Sequence, residues 1–397
     1  MTRILTIAWI LIVYLAGCDE PLRVQSISSP AGDSSQLPNL FTDEDGIVFM
    51  SWVEERNDTA SLYYASYQDQ TWSAPVFVQS SAQWFVNWAD FPSVIAHEAK
   101  PMVAHWLAKK PGGTYSYDVE IMSLVSTDEV VRSPHTDNTP TEHGFVSMTP
   151  VTDSTFYAIW LDGRHTAGRS HHEYSDLSKA MTLRGALLSV DELEFLEESE
   201  IDPSVCDCCN TALAKTSDGL IAAYRDRTSE EIRDISIRRY VDGTWSEPFT
   251  FSDEPWQTSS CPVNGPQLSV YDEMVAVAWF SGANDQPKVN VAFSTDGGSV
   301  FADPITIDSE TPLGRVDLEQ VDRDKAWVSW MSRNGDTATI NLMHINTDGE
   351  RLDSLALSTI DPSRKSGFPQ LTRTENGLLL AWTDIEKKTI EVVEVQL

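Results

Sequence analysis

Short apolar runs that end in an aromatic side chain recur along the chain. They are FMSW ending at Trp52, VAHW at Trp106, YAIW at Trp160, IAAY at Tyr224, VAVAW at Trp279, WVSW at Trp330 and LLLAW at Trp382. The spacings are 54, 54, 64, 55, 51 and 52 residues. Ahead of most copies lies a second short run, often opened by proline, as at Pro38, Pro92, Pro266 and Pro369. Behind several comes a further run, a turn and Trp-Ser-x-Pro, as at Trp72 and Trp245. No segment keeps a 3.6-residue apolar period over the length of a helix. Each unit of about fifty residues therefore reads as four antiparallel strands, the blade of a β-propeller. The fold class is all-β, with seven four-stranded blades expected and six as the alternative.

The seventh copy, Pro369 to Leu397, has room for only three strands. Leu22 to Ser28 is a lone alternating strand without a blade of its own. It is predicted to supply the outer strand of the last blade, which closes the ring and removes a free edge. The 64-residue interval places an insertion after Trp160, ahead of a strand from Met181 to Leu188. Loops this long in a compact ring are usually functional or disordered.

One copy carries extra chemistry. Between Asp202 and Arg227 a loop with three cysteines leads into a strand, a Ser-Asp-Gly turn, a second strand and a charged exit, Arg225-Asp226-Arg227. An up-down hairpin brings its entry and exit to the same edge, so the cysteines and the Arg-Asp-Arg should be neighbours.

The N-terminus bears on the compartment. Arg3 precedes an apolar run, Ile4 to Tyr14, too short to span a bilayer, and Leu15-Ala16-Gly17-Cys18 follows. The small residues before Cys18 resemble a bacterial lipobox. That resemblance implies a lipoprotein signal peptide over residues 1–17 and lipidation of Cys18, with residues 18–33 as tether and closing strand and 34–397 as the propeller. The mature chain is then a body anchored to the lipid bilayer of the bacterial envelope, on the periplasmic or extracellular face. Roughly 380 residues suffice for a large core, and a monomer is expected. A formal charge of −32 argues against nucleic acid as a partner, because phosphate binding needs a basic face. It also repels acidic polysaccharide unless a local basic pocket exists.

Ser294-Thr-Asp296-Gly-Gly298-Ser-Val-Phe301 resembles an Asp-box, the turn motif repeated in sialidases and related BNR-repeat propellers. Its chemistry is structural: Asp and Gly build a tight turn and the aromatic packs inward. The segments VCDCCNTA, YRDR, EIRD, CPVNGP and GRVD together resemble a group of bacterial sialidase-like lipoproteins. True sialidases carry three substrate-binding arginines, a Tyr/Glu nucleophile pair, an Asp acid and an early Arg-Ile-Pro motif. That last motif is absent and no Tyr/Glu pair can be placed from the sequence. The resemblance therefore implies the fold and no catalytic residue, and leaves sialidase-type hydrolysis open.

On a propeller, the connections between blades and those between second and third strands open on one face. That face should collect Trp84, Trp88 and Asp90; His143; Cys206 to Asn210; Cys261 to Asn264; Arg315 and Asp317; Glu54 to Arg56; Asp162 to His165; Arg225 to Arg227; and Arg333. A pocket near the ring axis there is the default site. Arg164, Arg225, Arg227 and Arg315, with Asp226, Asn264 and Asp317, are the candidate ligand-binding set. Planar guanidinium forks suit an anionic glycan or a similar ligand. The competing reading is that the arginines brace adjacent blades through Asp162, Asp226 and Asp317. Asp226, flanked by two arginines, should have a depressed pKa and make a poor acid.

Cys206, Cys208, Cys209 and Cys261 should lie close together. Outside the cytoplasm they read as disulfides, Cys261 to one of the three being the safest pairing. The alternative is a copper(I) or zinc site on thiolates, aided by His165, His171 or His172 of the insertion. A free redox thiol is the third reading. His171, His172, Arg169 and Glu173 otherwise read as a solvated loop or a lid. The functional expectations are a sialidase-like envelope protein binding an anionic glycan, a non-catalytic propeller for protein assembly, or a cysteine-based metal or redox site.

Overall fold

The repeats fold as antiparallel sheets because their runs are short, rich in β-branched and aromatic residues, and separated by tight turns. The computed structural model describes residues 22–169, 176–251 and 253–397 and arranges them as seven sheets. Blade 1 is Ser35–Thr42, Val48–Arg56 and Thr59–Gln68, edged by Thr71–Trp72 and Val76–Ser81. Blade 2 is Ser93–His97, Lys100–Lys109, Tyr117–Ser123 and Val131–Arg132. Blade 3 is His143–Thr152, Thr155–Asp162, Met181–Ser189 and Phe195–Val205. Blade 4 is Ala212–Thr216, Gly219–Arg225 and Ile235–Val241, edged by Thr244–Trp245 and Phe249–Thr250. Blade 5 is Gln267–Tyr271, Met274–Ser281, Lys288–Ser294 and Ile305–Asp308. Blade 6 is Pro312–Gln320, Lys325–Asn334, Thr337–Asn346 and Arg351–Ile360. Blade 7 is Gln370–Thr374, Gly377–Asp384 and Thr389–Gln396.

Each innermost strand packs on the next, and that of blade 7 returns to blade 1, so the ring has seven blades and not six. Arg23–Ile27 is the fourth strand of blade 7. It pairs antiparallel with the last strand, from Arg23 opposite Gln396 to Ile27 opposite Val392. The expected closure is what the structure shows.

The core lies between blades, and the repeated aromatic marks it. Trp52, Trp106 and Trp160 are fully buried on the second strands of blades 1 to 3. A buried indole N–H needs an acceptor. Trp160 donates to Asp162 at 2.9 Å, Trp106 to Glu120 at 2.8 Å, and Trp330 to Asp308 at 2.7 Å. Tyr224, the one copy without Trp, donates its hydroxyl to Asp202 at 2.7 Å.

Ser294 to Phe301 forms the turn between the third and outer strands of blade 5. Asp296 accepts from Val300 N–H at 2.9 Å, and Gly297 and Gly298 take φ of 67° and 83°. Phe301 is buried against Phe249 and Phe251. The motif is architectural here. Among the described residues no helix is long and apolar enough to cross a membrane. Cys18, and His171, His172 and Glu173 of the insertion, lie outside the described residues.

Candidate functional site

The ring axis holds a cavity of about 710 Å³, lined by the innermost strands of all seven blades. Asp43, Glu44, Asp90, Asp272, Asp317 and Glu319 face it, against Lys215 and Arg373. Burial pushes Asp90 and Asp317 up to about 7. Of the candidate ligand-binding residues only Asp317 lines this cavity. Its carboxylate accepts the backbone N–H of Leu318 at 2.9 Å and of Leu371, in blade 7, at 2.7 Å.

The arginines do not converge on an open pocket. Arg225 is 2% exposed, and its guanidinium is consumed by backbone carbonyls. It donates to Asn264 O at 2.8 and 3.1 Å, Arg233 O at 2.6 Å and Phe280 O at 2.7 Å. Its face lies 4.8 Å from the Trp256 ring. Arg227 pairs with Asp207 at 3.2 Å and Glu231 at 2.8 Å. Arg164 grips Asp162 with Nε and Nη2, both at 2.7 Å. Arg315 donates to Ser366 Oγ at 2.8 Å, Gly367 O at 2.9 Å and Ser363 O at 3.0 Å, and sits 5.1 Å over Trp88. Asn264 joins the set: its side-chain oxygen accepts Arg315 N–H at 2.7 Å.

Bracing is thus the dominant use of these cations, but mostly through carbonyls. Only Arg164 takes its expected carboxylate, Asp162. Asp226 reverses the sequence reading. Both flanking guanidinium groups point elsewhere, and burial, aided by the charge of Asp202, raises its carboxyl to about 6. Sequence adjacency on a strand places side chains on opposite faces, so two flanking arginines need not touch the residue between them.

The cysteine loop and the charged exit are neighbours, as the hairpin requires. Cys206 N–H donates to Arg225 O at 2.9 Å. The sulfurs of Cys206, Cys208 and Cys209 all lie within 4.8 Å of one another, Cys206 and Cys209 at 3.2 Å. Cys261 adjoins Cys208, and the influence of that thiol holds it below the usual range. The structure holds all four as free thiols. Cys261 reaches this group from the exposed rim. Gly265 allows this approach: a Cβ there would lie 1.9 Å from Asn210 O. Burial opposes ionisation of Cys206, but hydrogen bonds from Cys208 and Cys209 and the charges of Arg233 and Arg225 outweigh it and hold its thiol well below the usual range. Arg233 Nη1 is 3.4 Å from that sulfur. Burial, with the hydrogen bond to Cys206, pushes Cys209 up to about 12. The insertion docks on this loop through Arg169, which reaches Asp207 at 2.6 Å. His165 is exposed.

Two buried groupings were not legible in the sequence. Tyr117 OH donates to Glu142 at 2.5 Å and contacts Asp90 at 3.4 Å. This is a Tyr/Glu pair, but Tyr117 is wholly buried, and burial with the nearby carboxylates pushes its phenol up, away from nucleophilic use. The second gathers His135, Asp137 and Asp118 around His143. Of these only His143 was on the expected face.

No protein-family model and no curated protein matches the sequence. Solved structures that align with it include sialidases and neuraminidase-like proteins, and also AofleA from Arthrobotrys oligospora and a prolyl endopeptidase. A Hadza microbial sialidase, Hz136, aligns at TM-score 0.47 and 13% identity over 91% of this chain; this chain spans 65% of that one. The intramolecular trans-sialidase from Ruminococcus gnavus aligns at 0.45 and 11%, over 94% of this chain and 97% of its own. A neuraminidase-like protein from A/bat/Guatemala aligns at 0.45 and 10%, covering 94% of each.

Proposed function

We propose that the protein is an envelope-anchored propeller that holds a soft metal ion, copper(I) or zinc, on the thiolates between blades 3 and 4. One observation carries this reading: Cys206, Cys208 and Cys209 converge in a buried site beside the Arg233 guanidinium, with Cys261 adjoining Cys208. A buried cation against a thiol favours thiolate, and thiolate is the ligand soft metals select. The ring supplies rigidity, since Arg225, Arg227 and Asp207 tie the loop to blades 3, 4 and 5. The test is elemental analysis of purified protein with thiol counting. Bound copper or zinc, lost in a Cys206→Ser/Cys209→Ser variant, supports the reading. Two disulfides and no metal would end it.

A second reading keeps a glycan ligand but moves it to the axis. The axial cavity is of small-ligand size, and Asn39, Ser147, Asn210 and Gln370 offer it hydroxyl and amide groups. With six carboxyl groups against two fixed cations in its lining, a neutral sugar suits it better than an anionic one. Titration with neutral oligosaccharides and sialosides, followed by calorimetry and assayed for turnover, checks this. Heat from neither class removes it.

A further inference from the structure

His135 and Asp137 lie in the connection between blades 2 and 3, His143 opens blade 3, and Asp118 is the second residue of the third strand of blade 2. Four residues spread over 26 positions meet because two neighbouring blades share that seam. The imidazoles stack, with centroids 3.8 Å apart and planes 7° from parallel. His143 is wholly buried, His135 5% exposed and Asp118 2% exposed.

Four atoms of the cluster lack a hydrogen-bond partner: His143 Nε2, and three that face one another. His135 Nδ1 is 3.2 Å from Asp137 Oδ1, which leaves Nε2 facing Asp118 Oδ1 at 3.7 Å. His143 Nδ1 faces the same oxygen at 3.4 Å. None of these three atoms has a hydrogen-bond partner. Asp118 meanwhile keeps its other oxygen on Lys110. Buried polar atoms are nearly always paired, so three orphans aimed at one place call for a missing partner.

We propose that Asp118 Oδ1, His135 Nε2 and His143 Nδ1 are the ligands of a divalent transition ion, Zn(II) or Cu(II), at a site separate from the thiol cluster. Bonds of about 2.1 Å in a tetrahedron put ligand atoms about 3.4 Å apart, close to the spacings found here. Two imidazoles and a carboxylate form a borderline donor set, which suits these ions better than copper(I) or calcium. The outer layer has the matching form. Asp137 accepts from His135 Nδ1, while Asp137 and Asp162 stand 3.3 and 3.7 Å from His143 Nε2, close enough to take its proton after a small turn of the ring, although that nitrogen has no hydrogen-bond partner here. Carboxylates behind ligating histidines fix the ring and raise its basicity. Imidazole lone pairs lie in the ring plane, so the stacked rings must turn apart for both to reach one ion. The half-exposed Lys110 side chain sits at the entrance beside Asp118.

Cobalt(II) titration of the full chain tests this independently of the thiol reading. Thiolate-bound cobalt gives intense near-ultraviolet charge transfer, whereas nitrogen- and oxygen-bound cobalt gives only weak visible bands. Weak visible bands without charge transfer are expected in the Cys206→Ser/Cys209→Ser variant, where any thiolate-bound cobalt is lost, and these bands should weaken more than tenfold when His135→Gln or Asp118→Asn is added. X-ray absorption on the unsubstituted zinc form gives a reading that no folding defect can blur, with imidazole scattering expected. A sulfur shell alone, no second metal, or cobalt bands unchanged in a folded His135→Gln overturns the proposal. A redox-inert disulfide cluster would sink the thiol reading and leave this one standing.

Discussion

Replacing Arg225 with alanine removes one guanidinium and strands three carbonyls, that of Arg233 buried and those of Asn264 and Phe280 partly buried. A buried polar group left without its partner costs about 1–3 kcal/mol. Water entering the space recovers part of this, so a loss of about 3–6 kcal/mol is expected. At roughly 2.1 cal/mol/K per residue, a chain of this length unfolds with an entropy near 0.8 kcal/mol/K, so Tm should fall by about 4–8 °C. Arg225→Lys should fall between alanine and wild type, since one ammonium cannot span carbonyls from two blades. Thermal unfolding followed by circular dichroism reads the shift. Thiol accessibility should rise with it, because Cys206 N–H bonds to the backbone carbonyl of Arg225, the residue whose side chain braces this segment. A Tm within about 1 °C of wild type, together with loss of binding to an anionic ligand, would refute the bracing argument and restore the arginine to a recognition role.

Other perturbations follow from the same structure. Asp90 and Asp317 are raised to about 7 and Glu142 to about 8, each chiefly by burial. An acid whose folded pKa exceeds its unfolded value favours the native state below that unfolded value, and the gain is lost as pH rises through the folded pKa. His135, pushed down to about 4 by burial and the charge of His143, is neutral in both states above pH 7. Tm should therefore fall from pH 6.5 to 8.5, with a flatter curve in Glu142→Gln; a pH-independent Tm would contradict the burial of these groups. Deleting residues 22–28 should lower Tm and produce dimers or aggregates through the bared edge of Thr389–Gln396, detectable by light scattering. An unchanged monomer would show that the closing strand is dispensable. Gly265→Ala forces a Cβ to within 1.9 Å of Asn210 O, so backbone must move. Faster proteolysis between blades 4 and 5 and faster thiol labelling are expected, and wild-type rates would rule out a tight contact there.

The fold could be read from the chain because its signal is repeated. Seven aromatic-ended runs at near-equal spacing each mark a second strand, and a leftover strand at one end answers a missing one at the other. The cysteine grouping was legible for the same reason: blade order alone puts Cys206 and Cys261 at adjoining seams. What could not be read is where side chains point. Arg225 and Arg315 spend their donors on carbonyls, which have no residue-type signature. In blade 6 the strand is irregular between Gly314 and Asp317, and Arg315 takes a φ of 53°. Such a bulge re-aims a side chain in a way no alternation pattern reports. Asp118, His135, Asp137 and His143 lack any spacing motif because their meeting depends on how two blades abut. Asp226 misled because neighbours in sequence were taken for neighbours in space.

The pairing of Arg23–Ile27 with Val392–Gln396 sets a constraint on time as well as shape. Among the described residues the first strand and the last are hydrogen-bonded side by side, so the most distant pairing in sequence belongs to the final sheet. During synthesis six sheets can stack while the seventh still lacks most of its strands. An incomplete arc with two bare flanks is therefore an obligatory stage, and its lifetime is the interval in which another copy of the same arc can be captured in place of the proper terminus.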